Sequence, residues 1–319
     1  MNEKEIGGYF GLETFSGQEY YPSLIKLNSA RNALLYVLKA RNIGKLYIPR
    51  YLCDTVSALC DRYGYQYEYY AVGSDFMPIF DIPLAEDAWL YVVNYYGRLS
   101  NETICALQQK HKRLIVDNVQ AFFQQPVPGI DTLYSCRKFF GVPDGAYLST
   151  DAMLDETIPV DTSRDRMKHI LGRFEETGSA FYSDFQENDE QFYTLELRSM
   201  SALTQNILKA VDYEVVRQRR NENYQTLAQA LDSCNLLPSC PVDGPYCYPF
   251  YCKNGVQVRK QLASQKIYIP TLWPNVPQIG NALECDYAQN ILPLPCDQRY
   301  DHADAQRMID ALRACADLL

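Results

Sequence analysis

Between residues 45 and 118 short apolar runs alternate with amphipathic stretches, and this rhythm restricts the fold more than any other feature of the chain. KLYIPR (45–50) reads as a short strand, and YLCDTVSALCDRYG (51–64) as a helix with Val56, Leu59 and Cys60 on one face. YQYEYYAV, AWLYVVNYYG and RLIVDN read as strands, with SNETICALQQKHK a helix between the last two, started by Ser100 or Asn101. Strands that alternate with helices are joined by crossovers and lie parallel, which is the α/β class. Ligand groups in such sheets collect at the carboxyl ends of the strands, where Asn94, Tyr95 and Asp117 fall.

Ahead of this region, LNSARNALLYVLKARNIG (27–44) has Leu34, Leu35, Val37 and Leu38 at helical spacing, with Asn28 or Ser29 as cap and Gly44 as stop. The free amides at such a start bind anions, and Arg31 adds charge, although an ordinary capped helix has the same look. After Thr150 the charged, irregular residues 151–196 read as helix and exposed loop, and residues 199–233 as one long helical stretch carrying the domain junction. The Arg217, Arg219 and Arg220 cluster on it reads as a solvated or interface face. CYPFYC, VQVRKQLASQKIYIP (a helix before a strand), AQNILPLP and a terminal helix form a small α+β unit. The expected division is residues 1–210 as a large α/β domain and residues 211–319 as a small C-terminal α+β domain.

With 319 residues and 47% hydrophobic content the chain can fill two ordinary cores. A net charge of -9 argues against nucleic acid or an anionic membrane as partner and leaves a small molecule as the expectation. No apolar run approaches the roughly 20 residues that cross a bilayer, and MNEKEIGGYFGLE has no signal-peptide core, so a cytoplasmic location is expected. The eleven cysteines lack CxxC pairs or metal spacing with histidine and read as mostly buried free thiols, with no metal site.

The chemistry concentrates in LIVDNVQAFFQQPVPGIDTLYSCRKFFGVPDGAYLST (114–150), where an acid, an amide, a hydroxyl and an amine lie at the edges of strands. A lysine after a strand is ordinarily a solvated surface residue. Lys138 differs in following Arg137 and preceding Phe139 and Phe140, since a cation and rings weaken an amine's hold on its proton, as imine formation requires. Asp117 caps a turn or, if buried, keeps a pyridine nitrogen protonated, and Gln120 is a turn residue or a partner for a phenolic oxygen.

In order and spacing, SARNAL, LYIPRYLCD, VVNYYG, IVDNVQAF, YSCRKFFGVPDGAYL and ILPLPCDQRY resemble the DegT/DnrJ/EryC1/StrS family of pyridoxal-phosphate aminotransferases, over residues 27–312. The resemblance implies fold type I: a mostly parallel central sheet flanked by helices, with pyridoxal 5'-phosphate in the large domain. It implies Lys138 as the Schiff-base lysine, Asp117 as the carboxylate facing the pyridine nitrogen and Gln120 beside the ring hydroxyl. Ser135 matches a phosphate-binding serine, and Ser29, Ala30 and Arg31 the turn whose amides hold the phosphate. Catalysis is assigned to Lys138 and Asp117. Tyr95, Arg137 and Trp273 are candidates for substrate contact, with Arg50, Arg98 and Arg137 as candidate clamps for carboxylate or phosphate.

The sequence departs from the family pattern at several points. Ala30 stands where glycine is usual, the SCRK spacing is short, and LELRSMS lacks an asparagine turn through which a partner subunit would reach the phosphate. The position that stacks an aromatic ring on the cofactor falls at Cys53, or at Tyr51 in a register two residues away. The implied activity is transfer of an amino group from an amino-acid donor to a carbonyl acceptor, by family analogy a nucleotide-linked keto sugar, in a homodimer. The alternatives are another pyridoxal-phosphate reaction, dehydration or decarboxylation, and a non-catalytic ligand-sensing protein of the same fold.

Overall fold

The computed structural model describes residues 6–315 and residue 317. A three-residue strand, β1 (Ile25–Leu27), leads into α1 (Ala30–Ala40). Ser29 is extended and its Oγ accepts the Asn32 N–H at 3.2 Å, which fixes the start of the helix. The helix stops short of Gly44, because Asn42 takes the left-handed backbone (φ 51°) and the Arg41 N–H bonds back to Val37. The expected alternation follows: β2 (Lys45–Pro49), α2 (Thr55–Tyr63), β3 (Gln66–Val72), a two-residue β4 (Pro78–Ile79), β5 (Ala88–Val93), α3 (Asn101–His111) and β6 (Leu114–Asp117). β7 (Asp131–Ser135) and β8 (Ala146–Ser149) complete the series.

These strands form one sheet in the order β1-β8-β7-β6-β5-β2-β3-β4. The five strands from β7 to β3 are parallel neighbours, as the alternation predicts. The edges are antiparallel, β8 against β7 and β1, and β4 against β3. Ten residues separate β7 from β8, too few for a crossover helix, so the chain turns back on itself there. AWLYVV and LIVD, covered by protein on both faces, are almost continuously apolar, which suits the middle of a parallel sheet. From β2 the chain moves outward to β3, whereas from β5 it moves the other way to β6 and β7. The order therefore reverses between β2 and β5, and a crevice opens beyond their carboxyl ends.

Past the sheet, α4 (Lys168–Glu175) and α5 (Tyr182–Gln191) pack on each other and lead the chain across that crevice. The single helix expected over 199–233 is two: α6 (Ala202–Leu208) and α7 (Tyr213–Leu231). Asp212 ends the continuity by accepting the Val215 N–H and capping α7, a local bond that outcompetes helical propagation. At the other end of α6, buried Asp144 accepts from the Ser201 N–H at 2.9 Å and its hydroxyl at 2.8 Å, and from the Thr204 hydroxyl. Gly145 beside it sits at φ 116° against Cys136 and Thr204, where a side chain would collide.

The remaining elements are β9 (Tyr248–Tyr251), α8 (Gly255–Ser264), α9 (Val276–Ile279), α10 (Ala282–Asn290), β10 (Ile291–Leu294) and α11 (His302–Arg313). β9 and β10 pair antiparallel, and with Leu227, Val258, Leu262 and Ile309 they enclose a second apolar core. The strand expected at IYIP does not form. Ile267 and Ile269 still insert into this core, but no neighbouring backbone runs alongside to make a ladder. The basic cluster on α7 is also divided. Arg217 pairs with exposed Glu214 and Asp243, whereas Arg220 is buried and donates to the carbonyls of Pro245 (2.8 Å) and Phe139 (3.2 Å). All eleven cysteines are free.

Candidate active site

The crevice at the β2/β5 reversal is a cavity of about 250 Å³. Ser29, Ala30, Arg31, Asp117, Gln120, Ser135, Arg137, Lys138 and Trp273, all singled out from sequence, line it together. Tyr95 does not. It is buried in the core with its hydroxyl donated to the Tyr51 carbonyl, which corrects its assignment to substrate contact. Arg98 donates to the Pro238 carbonyl, and neither it nor Arg50 lines the cavity. Of the two registers for the stacking position, Cys53 faces the cavity, while Tyr51 is buried against Trp273 at 4.5 Å between ring centroids.

Asp117 ends β6 with both carboxylate oxygens engaged. Oδ2 accepts the Tyr91 hydroxyl at 2.6 Å and Oδ1 the Val119 N–H at 2.9 Å. A carboxylate offers about four acceptor positions, so acceptor capacity remains on the cavity side. Burial pushes this carboxyl above the ordinary value of 3.8, against the opposing pull of Lys138, the Tyr91 hydroxyl and the Val119 amide.

Lys138 follows β7 in a turn closed by the Phe139 and Phe140 amides on the Cys136 carbonyl. Its amine lies 5.7 Å from the centre of the Tyr246 ring. The side chain is open to the cavity yet surrounded by protein. This burial pulls the amine below its ordinary 10.5, and Arg137 adds to the effect, while Asp117, Cys53 and Asp189 oppose it. Water entering the open cavity softens the shift without changing its direction. The result is an amine that can be reached and that loses its proton more readily than a surface lysine. The sequence argument from a neighbouring cation and rings anticipates this direction, but the larger cause is desolvation.

Gln120 is 1% exposed. Its Oε1 accepts the Tyr96 N–H at 2.8 Å, an amide aimed there by the left-handed backbone of Tyr96 (φ 57°). That contact fixes which way the side-chain amide faces, and Nε2 is left buried without a protein partner. An orphaned donor of this kind is costly unless an acceptor comes to meet it. A pyridine ring carrying a phenolic oxygen, with its nitrogen at Asp117 and an aldehyde at Lys138, supplies that acceptor, so the side chains present fit pyridoxal phosphate. The amides in the first turn of α1, which have no partner inside the helix, face the cavity from the other end with Ser29 and Arg31.

Among the lining residues that the sequence does not single out are Tyr91, Asp189, Phe192 and Tyr193. Tyr91 was accessible to it, because in the parallel register Val93 lies opposite Asp117, which places Tyr91 two residues away on the same face. The other three belong to or follow α5, and no local pattern connects that charged segment to residues near 30 or 137.

No protein-family model matches the chain, and no curated protein sequence does. Solved structures do match. The DegT DnrJ EryC1 StrS aminotransferase from Brucella abortus superposes with a TM-score of 0.61 at 14% identity, covering 91% of this chain and 85% of that one. For the sugar aminotransferase CalS13 from Micromonospora echinospora the TM-score is 0.61 at 11% identity, covering 92% and 87%. NtdA from Bacillus subtilis, solved with bound cofactor PMP, gives 0.65 at 13% identity, covering 91% and 72%. The chain has the fold of these aminotransferases. At such identities the likeness is one of architecture, and it bears out the fold type I expectation: a mixed eight-stranded sheet flanked by helices.

Proposed function

We propose that the protein is a pyridoxal-phosphate-dependent aminotransferase that moves an amino group from an amino acid to a carbonyl acceptor, with a nucleotide-linked keto sugar as the acceptor class. One observation carries the reading: an amine open to the cavity (Lys138), a buried carboxylate (Asp117) and an unpaired amide donor (Gln120 Nε2) converge on one cavity. The likeness to the sugar aminotransferase CalS13 supports a sugar acceptor, and the PMP bound in NtdA supports the cofactor. A homodimer, a cytoplasmic location and a division near residue 210 into a cofactor-binding domain and a small C-terminal domain belong to the same proposal. The break between α6 and α7 supports the division, and among the described residues no helix is long and apolar enough to cross a membrane.

Bound there, pyridoxal phosphate supplies an aldehyde for an amine and a ring that draws electrons from the substrate carbon. Asp117 holds a proton on the ring nitrogen, and the Tyr91 and Val119 bonds keep its carboxylate oriented. Gln120 Nε2 would donate to the ring oxygen, and Lys138 Nζ would hold the cofactor through its aldehyde carbon and, when free, stand within reach to take and return the proton at the amino-bearing carbon. Trp273, in a left-handed conformation (φ 54°) and braced by Tyr51, walls the acceptor side.

The test is uptake of pyridoxal phosphate by the purified protein, followed by borohydride reduction and mapping of the labelled peptide. The expected label is on Lys138, with loss of the long-wavelength band when glutamate or glutamine is added. A protein that takes up no cofactor overturns the reading, and one that binds it but responds to no amino donor overturns transamination.

A further inference from the structure

The charged side chains lining the cavity are Arg31, Arg137, Lys138, Asp117 and Asp189, three cations against two acids. Burial does most to lower the proton affinity of Arg137, Asp189 opposes it, and the nearby charges of Arg31 and Arg166 add to it. Arg166 has its own partner, Asp161, at 2.8 Å. Arg137 has Asp189 at 3.0 Å. Arg31 carries a buried Nη1 with no protein partner. Guanidinium groups do not relieve such crowding by losing a proton, so an anion must compensate it.

Both guanidiniums are held in place by consecutive rings just beyond α5. Arg137 lies over Phe192 at 4.1 Å and Arg31 over Tyr193 at 4.2 Å. The strap that carries these rings is itself tied down. Tyr193 donates its hydroxyl to Asp54 at 3.1 Å, and Arg62 donates to the carbonyls of Tyr193 and Thr194, each at 2.8 Å. All of these residues belong to one chain.

We infer that Arg31 and Arg137, set side by side by the Phe192–Tyr193 strap, form a two-guanidinium clamp for a phosphoryl dianion. The inference rests on the functional reading above and names the cofactor's phosphate as the occupant. Both guanidiniums and both rings of the clamp come from a single subunit. Asp189 is then a competitor for Arg137 that phosphate must outweigh.

The experiment measures the affinity of apo-protein for pyridoxal phosphate and for pyridoxal, which lacks the phosphate. Arg31→Met and Arg137→Met are each expected to weaken pyridoxal phosphate by about tenfold to a hundredfold, the usual worth of a bond to a charged group, and to leave pyridoxal nearly unchanged. Asp189→Asn is expected to tighten pyridoxal phosphate and not pyridoxal, a gain that misfolding does not imitate. Parallel loss of both ligands in the arginine variants overturns the clamp. So does weakening of uridine diphosphate on cofactor-loaded protein with pyridoxal phosphate affinity unchanged, which assigns the arginines to the acceptor. Wild-type protein that binds neither aldehyde overturns the functional reading itself, whereas pyridoxal trapped on Lys138 in the arginine variants keeps it.

Discussion

Replacing Tyr91 by phenylalanine removes one oxygen and leaves the ring in the core, so it isolates the 2.6 Å bond to Asp117. Burial is the largest influence on that carboxyl and drives it toward its neutral form, while the Tyr91 hydroxyl is among the groups that resist. A hydrogen bond to a charged group contributes about 1.5–3 kcal/mol. At about 1.4 kcal/mol per pH unit, its loss raises the Asp117 pKa by roughly one to two units. Since the ionised carboxylate is the form that keeps the ring nitrogen protonated, the acidic limb of the kcat/KM profile is expected to move up by that amount. The plateau at higher pH is expected to stay close to wild type. An infrared difference spectrum of the apo-protein supplies a second readout, as the band of a protonated buried carboxyl persists to higher pH in Tyr91→Phe. An acidic limb that stays in place, or activity lost equally at every pH, refutes the argument.

Three further outcomes follow from the same geometry. Because the folded state raises the Asp117 pKa, the ionised carboxylate weakens the apo-fold once pH exceeds the ordinary 3.8; Asp117→Asn should therefore raise the apo melting temperature at neutral pH, with the gain shrinking toward 3.8. Lys138 is the mirror case: its folded value is depressed, so Lys138→Met should stabilise the apo-protein at neutral pH, with the gain fading as pH rises toward the ordinary 10.5, measured by calorimetry. Arg220→Ala leaves the buried carbonyls of Pro245 and Phe139 short of a donor and should cost about 2 kcal/mol or more in denaturant unfolding. The same substitution should slow aldehyde capture at Lys138, the residue before Phe139.

The parts of the molecule legible in the sequence are those whose causes are local. AWLYVV and LIVD declare themselves as central strands by being almost continuously apolar, and Ser29, Ser100 and Asp301 cap helices through bonds to amides three residues on. Asp117, Gln120, Ser135 and Lys138 converge because each lies at or just after the end of a parallel strand, where the sheet order reverses. What escapes such reading is set at long range. Arg220 has the look of a solvated helix face, and only carbonyls 25 and 81 residues away make its burial tolerable. Tyr95 sits at a strand end like Asp117, but its hydroxyl is claimed by a carbonyl 44 residues earlier. Phe192 and Tyr193 reach the cavity through contacts that no periodicity encodes.

The Phe139 carbonyl, one residue beyond Lys138, accepts from Arg220 on α7 and also from Gln298 at 2.6 Å, in the loop before α11. The lysine turn is thereby riveted to the second core rather than merely resting on it. Rotation of that core against the sheet would therefore drag the amine with it. The α5 strap, by contrast, is fastened by exposed bonds, through Arg62 to the carbonyls of Tyr193 and Thr194 and through the Tyr193 hydroxyl to Asp54.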